Sequence, residues 1–142
     1  MAWQRAVRLL AAHDRSEQEI RDALAGAGVA AQRINATISR LRQLHFLDDR
    51  RLAAQVADRA ARRGFGSERV RTELHARGVD AALVDAAVGA AFEDEMTLAQ
   101  QAYARRFADA PLPLAQRAKA ARFLLGRGFP EQVVLAILGE GC

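Results

Sequence analysis

The chain has 142 residues, enough for one ordinary domain or a row of small modules, and 51% of them are hydrophobic. Alanine alone fills 32 positions, so large apolar side chains are fewer than that share suggests and any single core is small. The net charge is +4, the single cysteine (Cys142) rules out an internal disulfide, and no stretch approaches the roughly 18 apolar residues of a membrane span.

Alanine, leucine, arginine, glutamine and glutamate dominate, all good helix formers, and proline occurs only three times. An all-α chain is expected. The first helix is predicted from Trp3 to His13, with Val7 and Leu10 on one face. Ser16 followed by Glu19 is a capping-box pattern and starts a second helix, with Ile20, Ala23, Leu24 and Ala27 as its apolar stripe. Gly28 follows its last turn, where a left-handed residue ends a helix most cheaply. A third helix turns Ile34, Ile38 and Leu41 inward.

Asp48 and Asp49 suit the start of a fourth helix, which holds Leu52, Val56 and Ala60 and ends before Gly64-Phe65-Gly66. That tripeptide lacks the Lys-Ser/Thr of a phosphate-cradling loop and reads as a tight turn with Phe65 tucked into the core. Ser67 is the expected N-cap of the next helix, with Val70 and Leu74 inside and Gly78 at its end. Asp80 is expected to cap a sixth helix burying Leu83, Val84 and Val88. A long helix with Leu98, Ala102 and Tyr103 runs to about Phe107, and Ala110-Pro111-Leu112-Pro113 breaks it. The last two helices carry Leu124 and Leu125, then Val133, Val134, Ile137 and Leu138, with Pro130 in the first turn of the final one.

These elements repeat. Leu24, Gly28 and Val29 return 50 residues later as Leu74, Gly78 and Val79, and again as Leu124, Gly128 and Phe129. Ile34, Val84 and Val134 keep the register, as do Ile38, Val88 and Leu138. A unit of this length cannot bury its apolar face alone, so neighbours must stack. The expected architecture is three tandem three-helix repeats, 1–47, 48–92 and 93–142, in an elongated, curved molecule.

Charge is not spread evenly over the repeats. Residues 40–77 hold ten arginines and five acids, net +5, while the rest holds eleven basic and twelve acidic residues, net −1. A focused basic region is the usual footprint of an anionic partner. Arg59, Arg62 and Arg63 share a helix face, and Arg69, Arg71 and Arg77 follow the turn. Arg62, Arg63, Arg69, Arg71 and Arg77 are the expected partner contacts, joined by Arg50 and Arg51. No catalytic, cofactor-binding or metal constellation is expected. His13, His45 and His75 lack partners at ligand spacing, and Asp48-Asp49 and Glu93-Asp94-Glu95 are explained by helix capping.

In these residues the chain resembles the RecX family, bacterial regulators of the RecA recombinase. The middle repeat shows the family's pattern as Arg62-Arg63-Gly64-Phe65-Gly66, Arg69-Val70-Arg71, Glu73-Leu74 and Arg77-Gly78-Val79. Arg15-Ser16, Glu19-Ile20-Arg21 and Leu24 match in the first repeat, Phe46-Leu47-Asp48-Asp49 in the connector, and Lys119, Phe123-Leu124 and Arg127-Gly128-Phe129 in the third. His13 departs from the basic residue frequent there. The lone cysteine and the lack of a signal or membrane stretch read as a cytoplasmic protein, expected as a monomer without cofactor; the resemblance implies a non-enzymatic protein that binds the groove of the RecA nucleoprotein filament. It further implies suppression of ATPase, strand exchange and coprotease activity, with DNA as a possible additional ligand. A general DNA-binding helix-turn-helix module is the other reading of the basic segment, weakened by the modest net charge.

Overall fold

A computed structural model of the chain describes residues 1–107 and 112–139. Among them lie nine helices and no strand: α1 (Ala2–Ala12), α2 (Glu17–Gly26), α3 (Ala31–Gln43), α4 (Asp49–Arg62), α5 (Ser67–Ala76), α6 (Ala81–Ala91), α7 (Glu95–Phe107), α8 (Leu114–Gly126) and α9 (Glu131–Leu138). Extensive helix contacts stay within three consecutive trios, each closed on its own apolar cluster. These trios, α1–α3, α4–α6 and α7–α9, are modules 1, 2 and 3. The accessible surface is 8839 Å², against about 7,200 Å² for a compact monomer of this mass. The stack is therefore extended rather than spherical.

The first helix of each module turns alanine to the core. Ala2 and Ala6 in α1, Ala53 and Ala57 in α4, and Ala99 and Ala102 in α7 are all buried. Val7 and Leu10, expected to lead the α1 stripe, are only half-buried, and so are Val56 and Ala60 in α4. The helical period is as expected, but its phase is set by alanine, whose small side chain lets helix backbones approach closely.

The 50-residue echo is a helix-ending device. Leu24, Leu74 and Leu124 are fully buried, and the glycines that follow take φ of 84°, 77° and 97°. The N–H of Val29, Val79 and Phe129 then donates to the carbonyl of its leucine at 3.0, 3.0 and 3.2 Å. Each leucine thus fills the core and accepts the bond that stops its own helix. At the end of α3, His45 takes the left-handed position instead, at φ 61°.

Several sequence expectations are corrected here. The N-cap of α5 is Gly66, and Ser67 is its first helical residue. Asp80 stands at the N-cap of α6, but its side chain makes no capping bond. Leu125 is 47% exposed on α8, and Phe65 is half-buried outside the module cores. Pro130 precedes α9 as its N-cap. Ala110 and Pro111 of the expected break, and Cys142, lie outside the described residues.

The modules join by one recurring rule. Each linker carries two acids: the first caps its own helix, and the second caps the middle helix of the preceding module. Asp48 accepts from the N–H of Arg51, while Asp49 accepts from the N–H of Glu17 at 2.9 Å. Asp94 likewise accepts from the N–H of Thr97, while Glu95 accepts from the N–H and hydroxyl of Ser67 at 2.7 and 2.8 Å. The first amides of a helix have no intrahelical acceptor, and the next module supplies one.

The loop ending each following middle helix docks on the same N-terminus. At the first joint the Ser16 hydroxyl donates to the Arg77 carbonyl, and the Arg77 guanidinium donates to Glu19 Oε1 at 3.0 and 2.9 Å and to the Asp14 carbonyl at 2.9 Å. At the second joint the bonds run backbone to backbone: Gly66 N–H to the Arg127 carbonyl and Glu68 N–H to the Gly128 carbonyl, both 2.8 Å. Glycine is required there. A Cβ on Gly66 would lie 2.4 Å from the Gly128 backbone, and one on Gly128 would lie 2.6 Å from Arg69 Cβ.

Burial alone would raise the Glu19 carboxyl, but the bonds from Arg77 and Ser16 outweigh it and hold its pKa below the usual value. Burial raises Asp49, with the bond from the Glu17 N–H offsetting part of the effect. A group depressed on folding stabilises the fold above its unfolded pKa and loses that contribution as pH falls through its folded value. The loss of stability on acidification below the usual 4.5 is therefore steeper in the unsubstituted protein than in Glu19→Gln, as read from urea midpoints against pH. Gly28 has nothing within 4 Å of an added Cβ, so Gly28→Ala costs only the left-handed strain of about 1–2 kcal/mol. Gly128→Ala adds a backbone clash to the same strain and lowers the urea midpoint clearly further.

Candidate partner-binding face

Three of the seven arginines expected at the contact are held in ion pairs. Arg62 pairs with Asp58 one turn back on α4. Arg71 donates to Asp85 of α6 at 2.6 Å. Arg77 belongs to the first joint, where its side chain is only 20% exposed. Arg50 and Arg51 are exposed in the first turn of α4, about 20 Å along the helix from Arg63. Arg50 lines a cleft with Asp48, Asp49 and Asp80, whose charges oppose it, and the Arg51 guanidinium reaches the His45 carbonyl at 3.4 Å.

Arg63 and Arg69 differ, since neither has a carboxylate partner among the described residues. Fold contacts between modules 2 and 3 bring them to three further arginines that the sequence reading did not single out as contacts: Arg105, Arg106 and Arg127. Arg127 sits in the loop after α8, where it is the repeat counterpart of Arg77. Instead of meeting a carboxylate, its guanidinium lies 4.3 Å from the centre of the Phe65 ring and 5.5 Å from that of Phe123. Arg69 lies over the same Phe65 ring at 3.9 Å. Arg106 lies 5.8 and 5.9 Å from Phe107 and Phe123. Those two rings meet edge-on at 5.6 Å, and Tyr103 stacks on Phe107 at 5.5 Å.

The arrangement is a row of aromatic rings with guanidinium groups laid against it. Its residues come from the end of α4, the following turn, α5, α7 and α8. Phe65 therefore acts as a platform for cations, which explains why it is withheld from the core. Ring quadrupoles orient a cation without cancelling its charge, so the outward edges of these forks remain free to pair two oxygens at once.

The backbone adds to the convergence. Arg127 Nη2 and Arg105 Nη1 would lie 3.5 and 3.7 Å from a Cβ on Gly64, over the negative end of the α4 dipole. Arg127 Nη2 also reaches the Arg63 carbonyl at 3.5 Å. The partial charge of a helix end is about half an electron and cannot neutralise two guanidinium groups. Arg127 Nε is buried with no hydrogen-bond acceptor among the described residues. A signal for the missed residues was present: Arg105-Arg106-Phe107 places a basic pair beside phenylalanine, as Arg62-Arg63 does near Phe65.

Among the described residues no group of histidine, cysteine, aspartate or glutamate could hold a metal ion, and no helix is long and apolar enough to cross a membrane. The face is suited to gripping oxygen-rich anionic surface and holds no nucleophile with a base beside it.

Comparison with known proteins agrees with the architecture. Residues 2–41, 48–88 and 93–138 match the first, second and third three-helix domains of RecX. The regulatory protein RecX of Xanthomonas campestris pv. campestris strain B100 is 39% identical over 128 residues, covering 89% of this chain and 78% of that protein. The Yersinia enterocolitica regulatory protein RecX is 30% identical over 158 residues, covering 96% and 95%. The crystal structure of RecX from Lactobacillus salivarius superposes with a TM-score of 0.80 at 18% identity, over 96% of this chain and 92% of that one, which shows the shared fold. With three consecutive domain matches and relatives 30–39% identical over 78% or more of their lengths, this chain belongs to the RecX family of regulatory proteins.

Proposed function

We propose that the protein is a non-catalytic regulator that seats in the groove of the RecA nucleoprotein filament and lowers its ATPase, strand-exchange and coprotease activities, acting in the cytoplasm as a monomer. Family membership supports the regulatory part of this reading. The observation that carries the mode of action is the set of five guanidinium groups, Arg63, Arg69, Arg105, Arg106 and Arg127, that meet no carboxylate among the described residues. An extended stack of modules can touch successive protomers of a repeating partner, and linked weak contacts gain roughly a hundredfold or more in avidity when geometry permits.

Paired arginines such as Arg62, Arg71 and Arg77 serve the fold first. The role proposed for Arg63 and Arg69 is direct contact with acidic protein surface or neighbouring phosphates, and Arg50 and Arg51 form a secondary contact. The general DNA-binding reading is less favoured because guanidinium groups already lie against Phe65 and Phe123 and compete with bases for those rings.

The test adds purified protein to RecA on single-stranded DNA and follows ATP hydrolysis. Hydrolysis falls with the unsubstituted protein. The Arg63→Glu/Arg69→Glu variant keeps its helicity, because neither arginine holds an ion pair, and needs about tenfold or more protein for the same effect, the loss expected from one or two charge-assisted bonds. Undiminished hydrolysis at stoichiometric excess of the unsubstituted protein contradicts the proposal. Steeply salt-dependent DNA binding that accounts for all inhibition without RecA contact favours the DNA module instead.

A further inference from the structure

The two joints obey one rule but differ in what crosses them. At the second, two backbone–backbone hydrogen bonds pass between modules, and Gly66 packs against Gly128 with no room for a Cβ. At the first, no backbone–backbone bond crosses among the described residues. Every bond there uses a side chain, and most use charged ones: Arg77 donates to Glu19 and to the Asp14 carbonyl, Arg51 donates to the His45 carbonyl, and Asp49 accepts from the Glu17 N–H.

Two sequence differences account for this, Ser16 against Gly66 and Glu19 against Arg69. Gly66 at the second joint is Ser16 at the first, and the Ser16 hydroxyl makes the bond to the Arg77 carbonyl that the Gly66 N–H makes to the Arg127 carbonyl. A side chain is interposed, so the incoming loop stands further off the helix. The incoming Gly78 meets the Gln18 side chain instead of backbone.

The apolar clusters show the same asymmetry. Leu98 packs against the cores of both module 2 and module 3. No residue is shared between the cores of modules 1 and 2. Between them lies a cleft of about 590 Å³, with Leu10, Leu52 and Val56 beside the charged groups Asp14, Glu19, Arg59, Glu73 and Arg77.

We propose that the first joint is an electrostatic hinge, on which module 1 swings against a rigid body made of modules 2 and 3. Arg77 is its latch. Closed, the latch fixes one curvature of the array; released, by salt or by an anion competing for Arg77, it lets module 1 adjust to the surface it meets. Side-chain bonds to charged groups weaken as ions screen them, whereas interlocked backbone at the second joint does not respond.

The hinge is tested on the free protein, so its outcome is separate from that of the RecA reading. Spin labels are placed by Ser39→Cys with Ala90→Cys across the first joint, and by Ala90→Cys with Ala136→Cys across the second. All three sites are exposed, and both pairs are built on Cys142→Ser. Distance distributions are recorded at about 0.05 M and about 1 M salt, where the screening length falls to about 3 Å. The 39–90 distribution broadens or shifts at high salt, and does so at low salt with Arg77→Gln, while the 90–136 distribution stays narrow throughout. Should Arg77→Gln unfold, as circular dichroism would show, the salt series on the Arg77 protein decides alone. Two unchanging distributions, equal broadening of both, or broadening confined to 90–136 overturns the proposal.

Discussion

The array depends on satisfying the orphan amides at the N-terminus of each module's middle helix from the module that follows. Those amides carry partial positive charge and have no acceptor within their own helix. Asp49 and Glu95 reach back to fill that need for α2 and α5, and the loops at Gly78 and Gly128 close over the same helix ends. This couples local helix chemistry to the order of the stack, since a module is finished only when its successor is in place. Module 3 has no described successor, and the N-terminus of its middle helix α8 is built differently, with Pro113 at the cap and 13 residues against the 10 of α2 and α5.

Much of this was legible in the sequence, because helix stops and core leucines leave periodic marks. The Leu-Gly-apolar echo identified the three units, and Ser16 with Glu19 announced its capping box, which is present in full. What was misplaced had a common physical origin. Periodicity weighs large side chains and centres the stripes of α1 and α4 on valine and leucine, while Ala6, Ala53 and Ala57 are the positions wholly buried there. Capping rules are local and assign Ser67 to its own helix, whereas its hydroxyl donates to Glu95, 28 residues on.

The same limit applies to the candidate face. A run of arginines shows where charge is dense but not where it stays unpaired. Arg62 and Arg71 find Asp58 and Asp85, and Arg77 finds Glu19, 58 residues away in sequence. Arg127 occupies the repeat position of Arg77 but meets Phe65, because Arg69 stands in the second joint where Glu19 stands in the first. That exchange turns a structural ion pair into two uncancelled cations on one ring. Both proposals rest on places where the repeat departs from itself: Glu19 supplies the acid that binds Arg77 at the first joint, and Arg69 places a cation on Phe65 at the second.

Amide hydrogen exchange, resolved residue by residue, tests the capping between modules most directly. The first-turn amides of Glu17, Ser67 and Glu68 should exchange slowly because the next module holds them, while those of Leu114 and Ala115, at the helix start with no described successor, should exchange at nearly the solvent-exposed rate. Exchange of Glu17, Ser67 and Glu68 as fast as Leu114 and Ala115 would show that the modules are not held together in this way.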